Sequence, residues 1–287
     1  MHLFVDNLTN VDFSYLHPQR GLVGETWLAS IVLEGALDQQ GMVCDFGIVK
    51  KTVRNWLDEH IDHCLLVAEQ ADNLTHNTTH SDTPNTIELT WQYGDEKQHL
   101  IECKSPHQAI TLIHHTDINA ESVSAWCVQQ LRQLLPDTID RIILSFQPEP
   151  IEHYFYHYSH GLKKHAGNCQ RIAHGHRSTI EIVCDGKRDH QREKEWCERW
   201  RDSYIGTKED ISVPANVLKE NVYFSYQSEQ GYFDISLPRD TCHIIDTDST
   251  VEFIAQYIAQ TLKEQSPQHA FQVKAYEGVG KGAIAFA

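Results

Sequence analysis

His160, His174 and His176 are the residues whose types and spacing most clearly suggest chemistry. The last two open the segment "HGHRSTIEIVCDG", whose alternation of apolar and polar residues predicts a β-strand. Positions i and i+2 of a strand face the same side, so His174 and His176 project together. His160 closes an earlier predicted strand, "HYFYHYSH", and can supply a third imidazole from a neighbouring strand. Three neutral imidazoles with a fourth position open to substrate is the arrangement of a catalytic zinc site, not of a structural one. Cys169 lies five residues before His174, near enough in the chain to line the same pocket.

The elements that would position these residues occur twice. "FSYLHPQRGLVGETWLASIVLEG" in the first half and "YHYSHGLKKHAGNCQRIAHGHRSTIEIVCDG" in the second share one plan. Each has an aromatic residue, a histidine four positions on, a loop, a central glycine and an alternating strand. Val23, Gly24 and Glu25 fall where His174, Gly175 and His176 fall, and His17 matches His160. Downstream, residues 86–103 and 222–237 each predict a hairpin, turning at Gly94-Asp95 and near Gln230-Gly231. Each half then predicts a helix with an apolar stripe: Val123, Trp126, Cys127, Leu131 and Leu134, or Val251, Ile254, Ala255, Ile258 and Leu262. Each closes with a strand, "DRIILSFQ" or "AFQVKAYE". The proline-marked "QPEPIE" places the boundary near Glu149–Glu152, giving units 1–150 and 151–287. The pattern is α+β with a mainly antiparallel sheet.

The first half carries one further helix, "DFGIVKKTVRNWLDEHIDHCLLV". Asp45 is placed to cap it, and Val49, Val53, Trp56, Leu57 and Ile61 form its apolar face. Asp62 and His63 follow at its C-terminal end, where the helix dipole and the adjacent carboxylate both favour a protonated imidazole. The second half has no Asp-His at that distance.

Composition limits the rest. A chain of 287 residues, 40% apolar, can bury a core in two domains or one large one. With 40 acidic against 24 basic residues its formal charge is −16, which argues against a general nucleic-acid or anionic-membrane surface. Lys163, Lys164, His165, Arg171 and Arg177 form one basic spot in the sequence around the histidines. The eight cysteines form no Cys-x-x-Cys pair. No apolar run is long enough to span a membrane, and the start "MHLFVDNLTN" lacks the pattern of a signal peptide. The expectation is a cytoplasmic protein with reduced thiols. The histidines at 75–80 and 114–115 are expected in exposed loops.

These motifs together resemble the 6-pyruvoyl-tetrahydropterin synthase and 6-carboxy-tetrahydropterin synthase family, with its tunnelling fold. The matches are Tyr156 to His160, Cys169, His174-Gly175-His176, "DFGIVKK" from Asp45, and Asp62-His63. Two more are Thr250-Val-Glu252 and the strand ending in Glu277. The resemblance covers nearly the whole chain, taken as two tandem tunnelling-fold units, each a mainly antiparallel sheet with helices on one face. No single half holds the full set. Val23 and Glu25 replace two metal ligands in the first unit, and Gln147 stands where Glu277 would be.

The resemblance implies a lyase acting on 7,8-dihydroneopterin triphosphate, with Zn2+ held by His160, His174 and His176. Cys169 would move protons as a thiolate, and His63, oriented by Asp62, would be the second acid/base. Glu252 and Glu277, with Thr250, would hold the pterin edge, and Arg171 and Lys164 the triphosphate. It implies a homo-oligomer, with the Asp-His of one unit meeting the metal cup of another and one working site per chain. The main expectation is a 6-carboxy-tetrahydropterin synthase, as in the route to queuosine. Its rivals are the 6-pyruvoyl reaction, which eliminates triphosphate but keeps the side-chain carbons, and a non-catalytic pterin- or metal-binding protein.

Overall fold

The computed structural model describes residues 1–79, 85–213 and 220–287. The first half runs β1 (His2–His17), β2 (Gly21–Gly35), α1 (Phe46–His60), β3 (Leu65–Ala68), β4 (Leu74–Thr79), β5 (Thr86–Tyr93), β6 (His99–Pro106), β7 (Ile110–Ile113), α2 (Ala120–Leu131) and β8 (Ile139–Pro148). The second runs β9 (Phe155–His160), β10 (His174–Cys184), β11 (Lys187–Arg188), α3 (His190–Arg199), β12 (Ser203–Thr207), β13 (Ile211–Ser212), β14 (Asn221–Ser228), β15 (Gly231–Pro238), β16 (Cys242–Ile245), α4 (Val251–Gln265), β17 (Phe271–Tyr276) and β18 (Gly282–Phe286).

Among the described residues three sheets result, mostly antiparallel. The first is ordered β7-β3-β1-β2-β8 and the second β16-β12-β9-β10-β17-β18, with β11 paired to β10. In both, the two short outer strands run parallel to their neighbours. The third sheet, β13-β14-β15-β6-β5-β4, joins the hairpins of the two halves edge to edge through β15 and β6. That junction satisfies the backbone groups of two strand edges that either half alone would leave open.

Helices cover one face of each main sheet. Val49, Val53 and Leu57 of α1 and Val123, Cys127 and Leu131 of α2 pack on Phe13, Ile31 and Leu144. Trp196 of α3 and Ile254, Ala255, Ile258 and Leu262 of α4 pack on Tyr156, Ile182 and Val273. Asp45 caps α1 by accepting from the Ile48 amide, as its sequence position predicts. The stripe predicted for α2 runs one residue too far: the helix ends before Leu134, which is 53% exposed.

The two β-hairpins that open the halves lie against each other. A Cβ built on Gly24 would meet the Tyr158 carbonyl oxygen at 1.8 Å, and one on Gly175 would meet Gly24 Cα at 2.6 Å. Beside them the Ser14 and Ser159 hydroxyls hydrogen bond at 2.7 Å. Both glycines serve backbone contact, which explains why the repeat keeps glycine at this position.

Register corrects two correspondences drawn from the sequence. Gly24 pairs with Ser14 and Gly175 with Ser159, so the glycines are equivalent. Val23 then pairs with Tyr15 while His174 pairs with His160. The counterpart of His160 is therefore Tyr15, not His17. The first hairpin closes tightly at His17 and Gly21, two pairs beyond the level at which β9 ends, so the aromatic-to-histidine spacing coincides without structural equivalence. Likewise Ala29 pairs with Phe146 and Ile180 with Ala275, which puts Pro148, not Gln147, opposite the place of Glu277. A third expectation also changes. Leu74–Thr79 is a strand paired to β5 and not an exposed loop, with His76 opposite Leu89; His80 lies outside the described residues. His114 and His115 do lie in an exposed bend.

Candidate active site

Strand pairing builds a cup of three imidazoles. His174 sits directly opposite His160, and His176 follows on the same face. The ring centroids of His160 lie 4.4 Å from His174 and 5.2 Å from His176, and the other two are 5.8 Å apart. All three are at most 1% exposed. His160 Nδ1 is 2.9 Å from the Ser249 carbonyl, and His174 Nδ1 is 2.9 Å from the Arg171 carbonyl. A carbonyl only accepts, so both Nδ1 atoms carry the proton and both Nε2 atoms present lone pairs. Burial, with the neighbouring imidazoles, holds His160 and His174 well below the usual histidine range, in the neutral ligand form.

The donor set fits a divalent ion. His160 Nε2 and His176 Nε2 are 3.2 Å apart. Two nitrogens bound tetrahedrally at about 2.0–2.1 Å from zinc would be about 3.3 Å apart. The three ligating atoms lie within 4.8 Å of one another. His176 Nδ1 is 3.3 Å from Asp12 Oδ1 of the first half, within ion-pair reach but without the alignment of a hydrogen bond.

The Asp-His pair arrives from the other half of the same chain. After α1 ends at His60 the backbone turns, and His63 adopts φ 56°, the left-handed region, which costs a non-glycine residue about 1 kcal/mol or more. Two backbone bonds to one residue hold it there: His63 N donates to Asp12 O at 2.6 Å, and Asp12 N donates to Asp62 Oδ1 at 2.7 Å. Asp62 Oδ2 bonds His63 Nδ1 at 2.5 Å. The His63 ring then lies 4.9 Å from that of His174 and 6.5 Å from that of His176. Burial alone would lower its pKa, but the Asp62 carboxylate bonded to Nδ1 and the neighbouring Cys169 override burial and lift it to about 10. Cys169 sits half-buried on a short 3-10 turn, Gly167–Gln170. The cup, the thiol and the Asp-His pair therefore meet in one place.

The remaining predicted residues divide. Glu277 reaches the rim of the cup, its Oε1 3.8 Å from His176 Nε2 and 4.0 Å from His160 Nε2. Thr250 caps α4, accepting from the Phe253 amide, directly after Ser249, whose carbonyl holds His160. Glu252, in the first turn of α4, is exposed. The basic spot read from the sequence is not one surface. Lys164 pairs with Asp248 at 2.9 Å, and Lys163 with Asp210 and Glu209. Arg177 stacks on Phe155, 4.0 Å from the ring centroid. Arg171 is 3% exposed, with Nη1 2.8 Å from Cys64 Sγ and Nε 3.2 Å from Gln230 Oε1. Its guanidinium points into the protein, tying the residue after His63 to the loop before the cup. Burial, invisible in a list of charges, dispersed the cluster.

The counterpart of the cup in the first half is Tyr15, Val23 and Glu25. Asp202, also left-handed at φ 56°, stands where His63 stands. It is engaged by Arg20, whose Nε donates at 2.8 Å. Burial raises the Glu25 carboxyl to about 7. An Arg20–Asp202 ion pair thus lies beside positions that carry no imidazole.

The model of the family described as 6-pyruvoyl tetrahydropterin synthase matches the chain twice, over residues 9–149 and 151–286. Among solved structures, 6-pyruvoyltetrahydropterin synthase from Plasmodium vivax is 16% identical, covering 52% of this chain and 98% of its own, with a TM-score of 0.36. The Plasmodium falciparum enzyme is 15% identical over the same shares, with a TM-score of 0.37. No curated protein matches the chain. The paired family matches make this chain a member of the 6-pyruvoyl tetrahydropterin synthase family, built as two tandem units of its tunnelling fold.

Proposed function

We propose that the chain is a zinc-dependent 6-carboxy-tetrahydropterin synthase acting on 7,8-dihydroneopterin triphosphate, a reaction on the route to queuosine. The observation that carries this reading is the meeting of Asp62-His63 from the first unit with Cys169 and the three imidazoles of the second. His160, His174 and His176 would hold the zinc, which when bound supplies positive charge to polarise the substrate's side-chain oxygens. Cys169 and His63 flank that position as an interacting thiol and imidazole, the arrangement in which a thiolate takes a proton while the imidazolium returns one. Asp62 on Nδ1 fixes the His63 tautomer so that Nε2 is the atom that exchanges protons. Glu277, at the rim, is placed to accept hydrogen bonds from the amino groups of a pterin, with Glu252 and Thr250 near the mouth. Arg171, 3% exposed, is a poor candidate for the triphosphate, whereas Lys164, with a side chain 59% exposed, could reach it by exchanging its pairs with Asp248 and Glu209.

A homo-oligomer belongs to the same proposal, because among the described residues the hairpin sheet ends at the strands β4 and β13, edges that a second copy would cover. Among the described residues no helix is long and apolar enough to cross a membrane.

The test is incubation of the zinc-loaded protein with dihydroneopterin triphosphate, followed by mass analysis. A carboxylated tetrahydropterin with release of acetaldehyde supports the proposal. A product that has lost triphosphate but kept its side-chain carbons assigns the pyruvoyl reaction instead. Tight pterin binding with no product defeats the enzymatic reading.

A further inference from the structure

Asp12 has no part in the motifs, yet it contacts both the Asp62-His63 pair and one imidazole of the cup. It lies in β1 of the first half, 1% exposed between Val11 and Phe13. Its backbone N–H donates to Asp62 Oδ1, and its carbonyl accepts from the His63 amide. Its carboxylate faces the opposite way, with Oδ1 3.3 Å from His176 Nδ1. Thr26 Oγ1 donates to Oδ1 at 2.6 Å, Asn10 Nδ2 approaches Oδ2 at 3.3 Å, and Lys281 Nζ approaches Oδ2 at 3.3 Å. The loop after β17 closes over it: Gly278 has φ 71°, and a Cβ there would lie 2.5 Å from Oδ1.

The three cup histidines differ in what stands behind them. His160 and His174 each donate Nδ1–H to a backbone carbonyl, which sequence cannot alter. His176 has Asp12 instead. A carboxylate behind an imidazole fixes ring and tautomer and makes the far nitrogen a stronger donor. Pseudo-symmetry sharpens the point. Register makes His157 the counterpart of Asp12 and Glu25 the counterpart of His176. His157 Nδ1 and Glu25 Oε2 are 3.8 Å apart. Each half thus offers one residue to a carboxylate–imidazole pair across the interface, with the two types exchanged. Only where the imidazole stands on β10 are two further imidazoles beside it.

We propose that Asp12 is a positioning residue of the metal centre: the first half supplies the carboxylate that orients His176, and the same residue's backbone sets Asp62-His63 at a fixed distance from it. This rests on reading the three histidines as a metal cup. It explains how a unit that has lost its own ligands remains necessary to the cup of its neighbour.

The test is zinc affinity, measured by chelator competition at constant pH on the full-length protein and on Asp12→Asn, which keeps shape and removes charge. The expected result is binding about 10–100-fold weaker than in the unaltered protein, with a smaller zinc-induced rise in Tm. An Asp12→Asn protein that binds zinc as tightly as the unaltered one, while its metal-free Tm falls, would assign Asp12 a structural role only and overturn the proposal. If Asp12→Asn does not fold, Thr26→Val carries the test. It removes a hydrogen bond from the oxygen that faces His176 and should weaken zinc several-fold, and unchanged affinity overturns the proposal. Failure of the unaltered protein to bind zinc would instead defeat the metal-cup reading itself, a separate result.

Discussion

The imidazole rings of His63 and His174 lie 4.9 Å apart, although one follows the first helix of the first unit and the other opens a strand of the second. The two have opposite electrostatic characters. His174 is neutral because burial and neighbouring imidazoles disfavour its charge, and His63 is charged because Asp62 and Cys169 outweigh its burial. A neutral ring is what a metal needs, and a charged ring beside a thiol is what proton transfer needs. The fused chain brings both into one site without a second molecule.

Substitution of the proton-handling pair should separate chemistry from metal binding. His63→Gln is expected to lower kcat by about 10²- to 10⁴-fold, and Asp62→Asn to lower it by less, because the imidazole remains but loses its fixed tautomer. Zinc content should stay at the wild-type level in both, since neither side chain belongs to the cup. Steady-state kinetics alongside metal analysis would check this, and loss of zinc from His63→Gln would place His63 among the ligands.

Cys169→Ala should retain zinc and pterin and lose turnover. Cys169 sits on a turn shortly before the cup strand and raises the His63 pKa, so its removal takes away the proposed proton carrier and lowers the His63 pKa by losing an interaction that raises it. The pKa of the His63 ring, followed by NMR, is therefore expected to fall from about 10 in the unaltered protein toward the range of free histidine. An unchanged titration would show that thiol and imidazole do not interact.

Much of this architecture is readable from the chain, for local reasons. Alternation marked the strands, Gly94-Asp95 and Gln230-Gly231 marked the hairpins, and Asp45 marked the start of α1, because each depends on neighbours in sequence. What escaped depends on register and depth. His17 copies the spacing of His160, but a shorter loop carries β1 past the level of the cup, so Tyr15 takes the equivalent place. Arg171 counts as a surface cation in a list of charges, whereas its environment buries it against Cys64. Asp12 left one weak signal, an acid between Val11 and Phe13 in an apolar strand, which should be costly unless paired.

The pH dependence of metal-free stability should peak near 6.5. His160 and His174 have folded pKa values well below 6.5, so below that value the unfolded chain binds more protons and stability falls as the pH falls. His63 has a folded pKa of about 10, so its contribution is complete below 6.5 and is lost as the pH rises through 10. Tm measured against pH in a chelator should show both declines. His63→Gln should reduce the decline between 6.5 and about 8.5, above which the buried thiols of Cys103, Cys197 and Cys242, pushed up to about 12, also lose stability. It should leave the acid limb, and a flat acid limb would contradict the neutral state of the two cup residues.

Gly24→Ala and Gly175→Ala should each destabilise the fold more than an ordinary strand substitution. A methyl at Gly24 would have to displace the Tyr158 backbone at 1.8 Å, and one at Gly175 would press on Gly24 itself. Overpacking of rigid backbone costs about 1–3 kcal/mol and occasionally more, and here the two hairpins that frame the cup would be pushed apart. Chemical denaturation would give the loss, and zinc affinity should fall in parallel. Gly41→Ala is a control, because nothing lies within 4 Å of a Cβ there, although its φ of 78° still imposes some strain.

Zinc should bind at one equivalent per chain. Three imidazoles converge in the second unit, while the equivalent positions of the first hold Tyr15, Val23 and Glu25, of which only Glu25 is a good ligand at neutral pH. Burial lifts even that carboxyl to about 7, so a large fraction is protonated there. Asp202, which stands where His63 stands, is already bound by Arg20. Among the described residues one other group, Cys184, Asp185 and His269, brings ligand atoms together, but Asp185 already bonds His269 Nδ1 at 2.6 Å and the Ala270 amide at 2.9 Å. Metal analysis after dialysis should therefore return one zinc, and His174→Ala should return none. A second tightly held equivalent would mean that the first unit kept a working cup, and the division of labour between the two units would be wrong.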